Sequence, residues 1–227
     1  MDSLPKLTKI SVVESVLNKF LVIGYGNLLF VRMVLKKKLS ELFSIMTGLN
    51  LRPEKNGDII YLQSQNFDEN GILKSKLMPE VSRMNVNEQY ILRPDDIIFA
   101  AKGSKNFAAL FEKRNDPAVP STTFFILRKK SHNVNLKSEF VVWYLNQTQT
   151  QIKLKKYITG SSIQSLTKKE LGNIYISIPE FKIQELILKI ETKIKELNQL
   201  NSKLTNLRNK FNQQKFNLQK LSIKVID

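Results

Sequence analysis

The chain contains no cysteine and a single histidine, His132. Disulfide frameworks and thiolate zinc sites are thereby excluded, and so is a histidine-rich metal centre. Acidic residues are scarce beside basic ones, 20 against 36, leaving a formal net charge of +16. An excess of that size calls for an anionic partner, with nucleic acid first among them. Long apolar runs are also lacking. The longest, Phe20 to Val31, is interrupted by Gly26 and Asn27 and bounded by Arg32, and it falls short of the roughly 20 residues a bilayer requires. With no convincing cleavage site behind it, the sequence reads as that of a soluble, cytoplasmic protein without a membrane partner.

Catalytic patterns are missing as well. A nucleobase amino-methyltransferase needs an Asn/Asp-Pro-Pro-aromatic turn, and the nearest string, NDPAVP at 115–120, is not one. Pro94-Asp95 resembles the first half of a nuclease carboxylate motif, but the second half needs an acid two residues before a lysine to hold a metal. Ala100-Ala101-Lys102 lacks it. Asp95-Asp96 therefore reads as a turn, and His132, within KKSHNVN, as an exposed loop residue. The chain is not expected to be an enzyme or to carry a cofactor.

The organisation is α+β followed by one long helix. Residues 1–35 show no clean period and read as an N-terminal extension; MVLKKKLSELFSIMTG, from Met33, reads as a second natural opening, which would make the first 32 residues an upstream addition. Residues 36–180 form one mixed domain. Within it, LSELFSIMTG predicts a short amphipathic helix stopped by Gly48. IIYLQ (59–63) predicts a strand, NFDENGIL (66–73) a turn, and QYILRPDDIIFAAKGS (89–104) strand, turn, strand and polar loop. STTFFILRK (121–129) is β-rich. SEFVVWYLNQTQTQIKLKKY (138–157) is helical, with Phe140, Trp143, Tyr144 and Ile152 toward the core. IYISIP ends a strand at Pro179.

Residues 181–227 contain no glycine or proline. Ile183, Ile187, Ile190, Ile194, Leu197, Asn201 and Leu204 step by four and three, a heptad seam. Leu207, Phe211, Gln214, Leu218 and Leu221 resume it after an extra three-residue step, a stammer. A helix over 182–222 would run about 60 Å and cannot bury its own stripe. It therefore needs a partner helix, with Ile187, Ile190, Ile194, Leu197, Asn201, Leu204, Phe211 and Leu218 as the pairing residues.

Lysine runs such as Lys36-Lys37-Lys38 ordinarily make a solvated face. Here, however, no acid occurs from Leu197 to Ile226, and cations recur through the mixed domain. Scattered lysine attracts phosphate without reading sequence. Reading needs Arg, Asn, Gln, Ser or Thr aimed at base edges. Polar loops after apolar strands supply both, and the expected DNA face comprises Arg52, Gln63, Ser64, Gln65, Lys102, Ser104, Lys105 and Arg128.

One stretch, TGSSIQSLTKKELGNIYISIPEFKIQELILKI (159–190), resembles the end of a target-recognition domain and the start of its conserved helix in the specificity (S) subunits of type I restriction-modification systems. The matching residues are Gly160 and Ser161 in a turn, Leu166, Leu171 and Ile174 in a strand, then Ile178, Pro179 and Gln184. KKLSELFSIMTGLNLRPEKNGDIIYLQSQNFDENGIL resembles that domain's opening, ILRPDDIIFAAKGS its central strand and loop, and PSTTFFILR the next strand. The family usually has Gly-Asp where this chain has Asp95-Asp96, and a full S subunit carries two recognition domains where this chain has room for one. The resemblance implies a half-length, non-catalytic subunit that reads one half of a bipartite double-stranded DNA target. It further implies methyltransferase (M) subunits docked on the helical region, a restriction (R) subunit engaged indirectly, and pairing with a second copy or another S fragment. The competing reading is a coiled-coil interaction protein, or a truncated relic, without specific DNA binding.

Overall fold

The computed structural model describes residues 35–54, 56–68, 71–73, 77–103, 106–111, 117–130, 135–157 and 165–223, with side chains to residue 216. All of the N-terminal extension but Leu35, together with Ser104, Lys105, His132, Gly160 and Ser161, lies outside them. The chain divides into two compact units between Glu180 and Phe181.

The first unit opens with β1 (Leu35–Lys38), whose three lysines form a strand rather than a loose basic tail. It pairs antiparallel with β8 (Tyr175–Ile178), Leu35 opposite Ile178 and Lys38 opposite Tyr175. The pleat sends Ile176 and Ile178 inward and leaves Tyr175 and Ser177 exposed. Lys36 and Lys38 place their ammonium groups 5.3 and 5.6 Å from the Tyr175 ring centre.

The helix expected up to Gly48 is one turn long. Helix α1 spans Leu39–Leu42, and Phe43 is already extended. β2 (Phe43–Thr47) then pairs along its length with β7 (Phe124–Lys129). Apolar residues at 39, 42, 43 and 45 suit either period, and the available strand partner decides between them. Gly48 is no helix stop. A Cβ there would meet the carbonyl oxygens of Ser121 and Pro120 at 2.2 and 2.3 Å, so glycine lets two backbones pass.

The principal sheet runs in the order β2-β7-β4-β5, with β4 at Ile97–Ala100 and β5 at Ala108–Leu110, all antiparallel. β3 (Ile60–Leu62) pairs parallel with β6 (Ala118–Pro120). The strand expected at QYILR is instead a 3-10 turn at Glu88–Tyr90 followed by extended residues, and β6 arises where the sequence offered only NDPAVP. β4 and β7 are buried on both faces. Ile98, Ala100, Phe124 and Ile126 join Ile60, Leu62, Phe67 and Phe107 in one core cluster. At its centre the rings of Phe67, Phe107 and Phe124 lie 5.5–6.0 Å apart, a spacing at which tilted aromatic pairs attract.

The helical stretch at 138–157 breaks in two, α2 (Ser138–Asn146) and α3 (Thr148–Lys155), because Gln147 is extended (ψ 141°). Phe140 and Trp143 are buried as expected, but Ile152 is 48% exposed and Leu154 takes the core position. Asn146 has a further role. Its Oδ1 accepts from the Ala108 N–H and its Nδ2 donates to the Ala108 carbonyl, both at 2.8 Å, so it occupies the open edge of β5. The Leu166–Ile174 segment, expected as strand, holds helix α4 (Lys168–Gly172). A capping box starts it: Thr167 N–H donates to Glu170 at 2.7 Å and Glu170 N–H to Thr167 Oγ1 at 3.2 Å. Leu166, Leu171 and Ile174 are nonetheless all buried.

The second unit is helix α5 (Phe181–Ile223). Ile187 is buried, while Leu197, Leu200, Leu204, Leu207 and Phe211 are 56–66% exposed. These five step by three, four, three and four. Extended toward the N-terminus, the same register meets Lys193, Ile190, Leu186 and Ile183; toward the C-terminus it meets Gln214 and Leu218, the latter with its side chain beyond the described ones. Read in this register the spacing is one unbroken heptad, with Leu200 on it and Asn201 beside it. The register read from sequence, with Asn201 on the seam and a stammer after Leu204, joins this stripe to Ile183-Ile187-Ile190-Ile194, about a quarter turn away at 100° per residue; residues 195–216 are exposed in both. Among the described residues, no helix is long and apolar enough to cross a membrane.

Candidate nucleic-acid interface

Strand directions bring several loops to one end of the first unit. β2, β3, β4 and β6 finish there, and β5 and β7 begin there. Backbone hydrogen bonds tie the loops together. Ser121 N–H donates to the Leu62 carbonyl at 2.8 Å, Ala101 N–H to Thr123 O at 2.9 Å, and Leu166 N–H to Ala101 O at 2.9 Å. Leu49 N–H donates to Pro120 O at 2.9 Å. Lys102 and Ser165 form an antiparallel bridge. The rim therefore carries Gln63, the Ser121–Thr123 turn, Lys102 and Ser165 as neighbouring chain segments.

Arg52 is three residues beyond Leu49. The Tyr61 hydroxyl donates to Leu49 O at 2.9 Å and accepts from Leu51 N–H at 3.3 Å, which fixes the segment leading to Arg52; Arg52 itself is exposed. Past β3, Ser64–Asn66 form a 3-10 turn. Gln63 N–H donates to Asn66 Oδ1 at 2.7 Å, and Gln65 Nε2 donates to Gln63 Oε1 at 2.9 Å. Ser64 and Gln65 are exposed. Holding one amide by another lowers the rotamer entropy that binding must cost. Lys102 is exposed at the end of β4. Asn106, on the far side of that loop, donates to Ala100 O at 2.7 Å and so braces the loop from within.

Arg128 does not belong to this set. It sits near the other end of β7, and its guanidinium is engaged inside the fold. Nε donates to Asp96 Oδ1 at 2.9 Å, Nη1 to Gln89 O at 2.9 Å, and Nη2 both to Ile91 O at 2.8 Å and to Asp96. The Asp96 side chain is 3% exposed. A cation held on a buried carboxylate and two carbonyls is a brace between β7, β4 and the 89–91 segment. Asp95, beside it, has φ +71°. That is the left-handed region where Gly is at ease and Asp is tolerated. The turn thus needs there the conformation a Gly-Asp sequence would supply.

Sequence reasoning missed the Ser121-Thr122-Thr123 turn and Ser165. The first hid inside a β-rich string; its marker was the run of small hydroxyl residues directly after Pro120. Ser121 Oγ and Thr123 Oγ1 lie 2.6 Å apart. Among the described residues no group of acidic or histidine side chains could hold a metal ion.

Residues 34–209 match the family model described as type I restriction modification DNA specificity domain. No curated protein sequence matches the chain. Solved structures do. The type I restriction-modification S subunit from M. genitalium aligns with TM-score 0.50 at 16% identity, over 75% of this chain and 41% of that one. The HsdS subunit from Thermoanaerobacter tengcongensis aligns with TM-score 0.52 at 19% identity, over 76% and 39%. A chain from a structure of the type I R-M system, concerned with complex assembly and conformational transition, gives 0.53 at 15%, over 82% and 44%. These likenesses show the fold, and the chain spans about two fifths of the length of each. The family match covers most of the chain, both the mixed domain and the greater part of the helix after it: this chain belongs to the type I restriction modification DNA specificity domain family.

Proposed function

We infer that the rim reads one half of a bipartite double-stranded DNA target and that the chain performs no chemistry itself. On this reading, M subunits dock on the helical region and methylate, an R subunit joins through them, and the assembly works in the cytoplasm. The observation that carries the reading is the convergence of Gln63–Gln65, Ser121–Thr123 and Lys102 at one end of a sheet whose central strands are buried on both faces; Arg52, exposed three residues on from Leu49, is assigned to the same face on its charge. Loops on a rigid scaffold are where base-edge groups hold their aim. Ser104 and Lys105, in the loop after Lys102, are assigned to the same face. Arg128 is left out, its donors being spent on Asp96 and backbone carbonyls.

The test is selection from a random duplex pool, followed by binding at several salt concentrations. A recoverable motif is expected. Replacing Lys102 and Lys105 with alanine should weaken binding to every sequence and lower the salt slope by about one for each phosphate no longer neutralised. Replacing Gln63 and Gln65 should relax the motif at particular positions, at about 1–3 kcal/mol per bidentate pair. Binding with no motif, indifferent to these changes, would instead support the coiled-coil or relic reading.

A further inference from the structure

We propose that Gln63 reads a guanine in the half-target through its amide nitrogen, and that Gln65 is the positioning residue that sets this choice by holding the Gln63 amide oxygen. This names the base for one side chain of the rim, and it rests on the function proposed above.

Gln63 directly follows β3, where the Ser121 N–H donates to the Leu62 carbonyl at 2.8 Å. Its own N–H donates to Asn66 Oδ1 at 2.7 Å, so the turn at Ser64–Asn66 closes back on it and fixes its backbone. The residue is partly buried, between buried Leu62 and exposed Ser64. Its side chain therefore leaves the scaffold from a defined point at the edge of the core.

A glutamine amide has an oxygen that accepts and a nitrogen with two hydrogens that donate. Using both, it pairs with adenine, whose major-groove edge sets the N7 acceptor beside the N6 amino donor. In this loop the two halves are unequal. Gln65 Nε2 donates to Gln63 Oε1 at 2.9 Å, whereas among the described residues Gln63 Nε2 has no acceptor. Pairing with adenine would ask an engaged oxygen to accept a second hydrogen bond. Guanine asks nothing of it, because O6 and N7 are both acceptors and both meet donors. Cytosine offers an amino donor, and thymine a single acceptor beside its methyl group.

The rest of the rim points the same way. Asn66 Oδ1 is a second amide oxygen of the loop turned inward, onto the Gln63 N–H. Cytosine is read by a carboxylate, and residues 63–66, 101–103 and 121–123 include no acid. Lys102, exposed on the same rim, adds donors only. A rim whose fixed groups donate suits the base whose edge accepts.

The test uses the full chain in selection from a random duplex pool, unmodified and in three variants. The unmodified protein should recover a motif with guanine at one position that depends on Gln63. Putting 7-deazaguanine there, which lacks the N7 acceptor, should weaken binding on the order of tenfold. Gln63→Glu keeps an oxygen for Gln65 and removes the donor, so it should abolish the guanine preference at that position and leave the others. Gln65→Ala releases Oε1, so adenine should be admitted there beside guanine. Gln65→Glu exchanges a donor for an acceptor and turns the Gln63 amide over, so the position should move to adenine or cytosine. A loop that had only lost its structure would lose a preference and gain none. Adenine, cytosine or thymine in the unmodified motif at the position that responds to Gln63 overturns the proposal, as does a guanine preference that survives Gln63→Glu. A guanine that stays exclusive in both Gln65 variants overturns the positioning role. The two proposals fail distinguishably. A motif with no position responding to Gln63 ends this one alone, and an unmodified chain that recovers no motif ends the function proposed above and this inference with it.

Discussion

Asp96 and Arg128 show how a single residue pair sets what the rest of the first unit can do. The carboxylate is almost wholly buried, and the guanidinium is mostly buried against it. Removing one partner strands the other charge, so Asp96→Ala should lower the unfolding free energy by about 3–5 kcal/mol, measured by urea denaturation. DNA affinity at low temperature should change far less, because the pair is a brace away from the rim. Asp95 gives the complementary case. With φ +71°, Asp95→Ala should cost about 1 kcal/mol in the same assay, whereas Asp95→Gly should cost nothing or stabilise slightly. Its ion pair with Lys129, at 3.9 Å and with the carboxylate more than half exposed, contributes little. The sequence made Arg128 look like a readout residue because an arginine after an apolar strand fits that description. What it lacked was the knowledge that Asp96, 32 positions earlier, lies against it.

At the scale of elements, the least protected is β5, three residues long and at the end of its sheet. Asn146 supplies the donor and acceptor that a further strand would offer. Asn146→Ala should cost about 1–2 kcal/mol for two hydrogen bonds and should raise the aggregation rate on mild heating, followed by light scattering, since an open edge recruits other chains. Elements with their own local signal were legible from sequence: β3, β4, β7, β8 and the long helix. Elements defined by what lies beside them were not. β2 looked helical, β6 looked like loop, and α4 looked like strand, because four or five residues cannot outweigh a partner or a capping box. The candidate site was legible to the same degree. Gln63 to Gln65 and Lys102 stand out as polar residues after apolar strands, but that Ser121 to Thr123 meet them depends on a parallel pairing of β3 with β6, which no local pattern announces.

For the whole molecule, the proposed reading makes the gap between half-sites decisive. On that reading, a complex of this chain with a type I methyltransferase, assayed on duplexes that differ only in that gap, should methylate within a narrow range. One base pair shifts a reader by about 3.4 Å and turns it by about a tenth of a turn, and two readers on one spacer gain affinity only where both engage together. Equal methylation across many gaps would reject the spacer role.

The unbroken heptad of α5 has a bearing on how such a protein can change over time. On the function proposed above, residues that touch bases and residues that set length occupy separate stretches of chain, the first before Glu180 and the second after it. On the proposed reading, an insertion of one heptad in the helix preserves the seam and lengthens the spacer by about 10 Å, close to three base pairs. A smaller insertion breaks the stripe and is purged. Target length is then inherited in discrete steps, independently of target letters, and a lineage can move to a new spacing without altering a single reading residue.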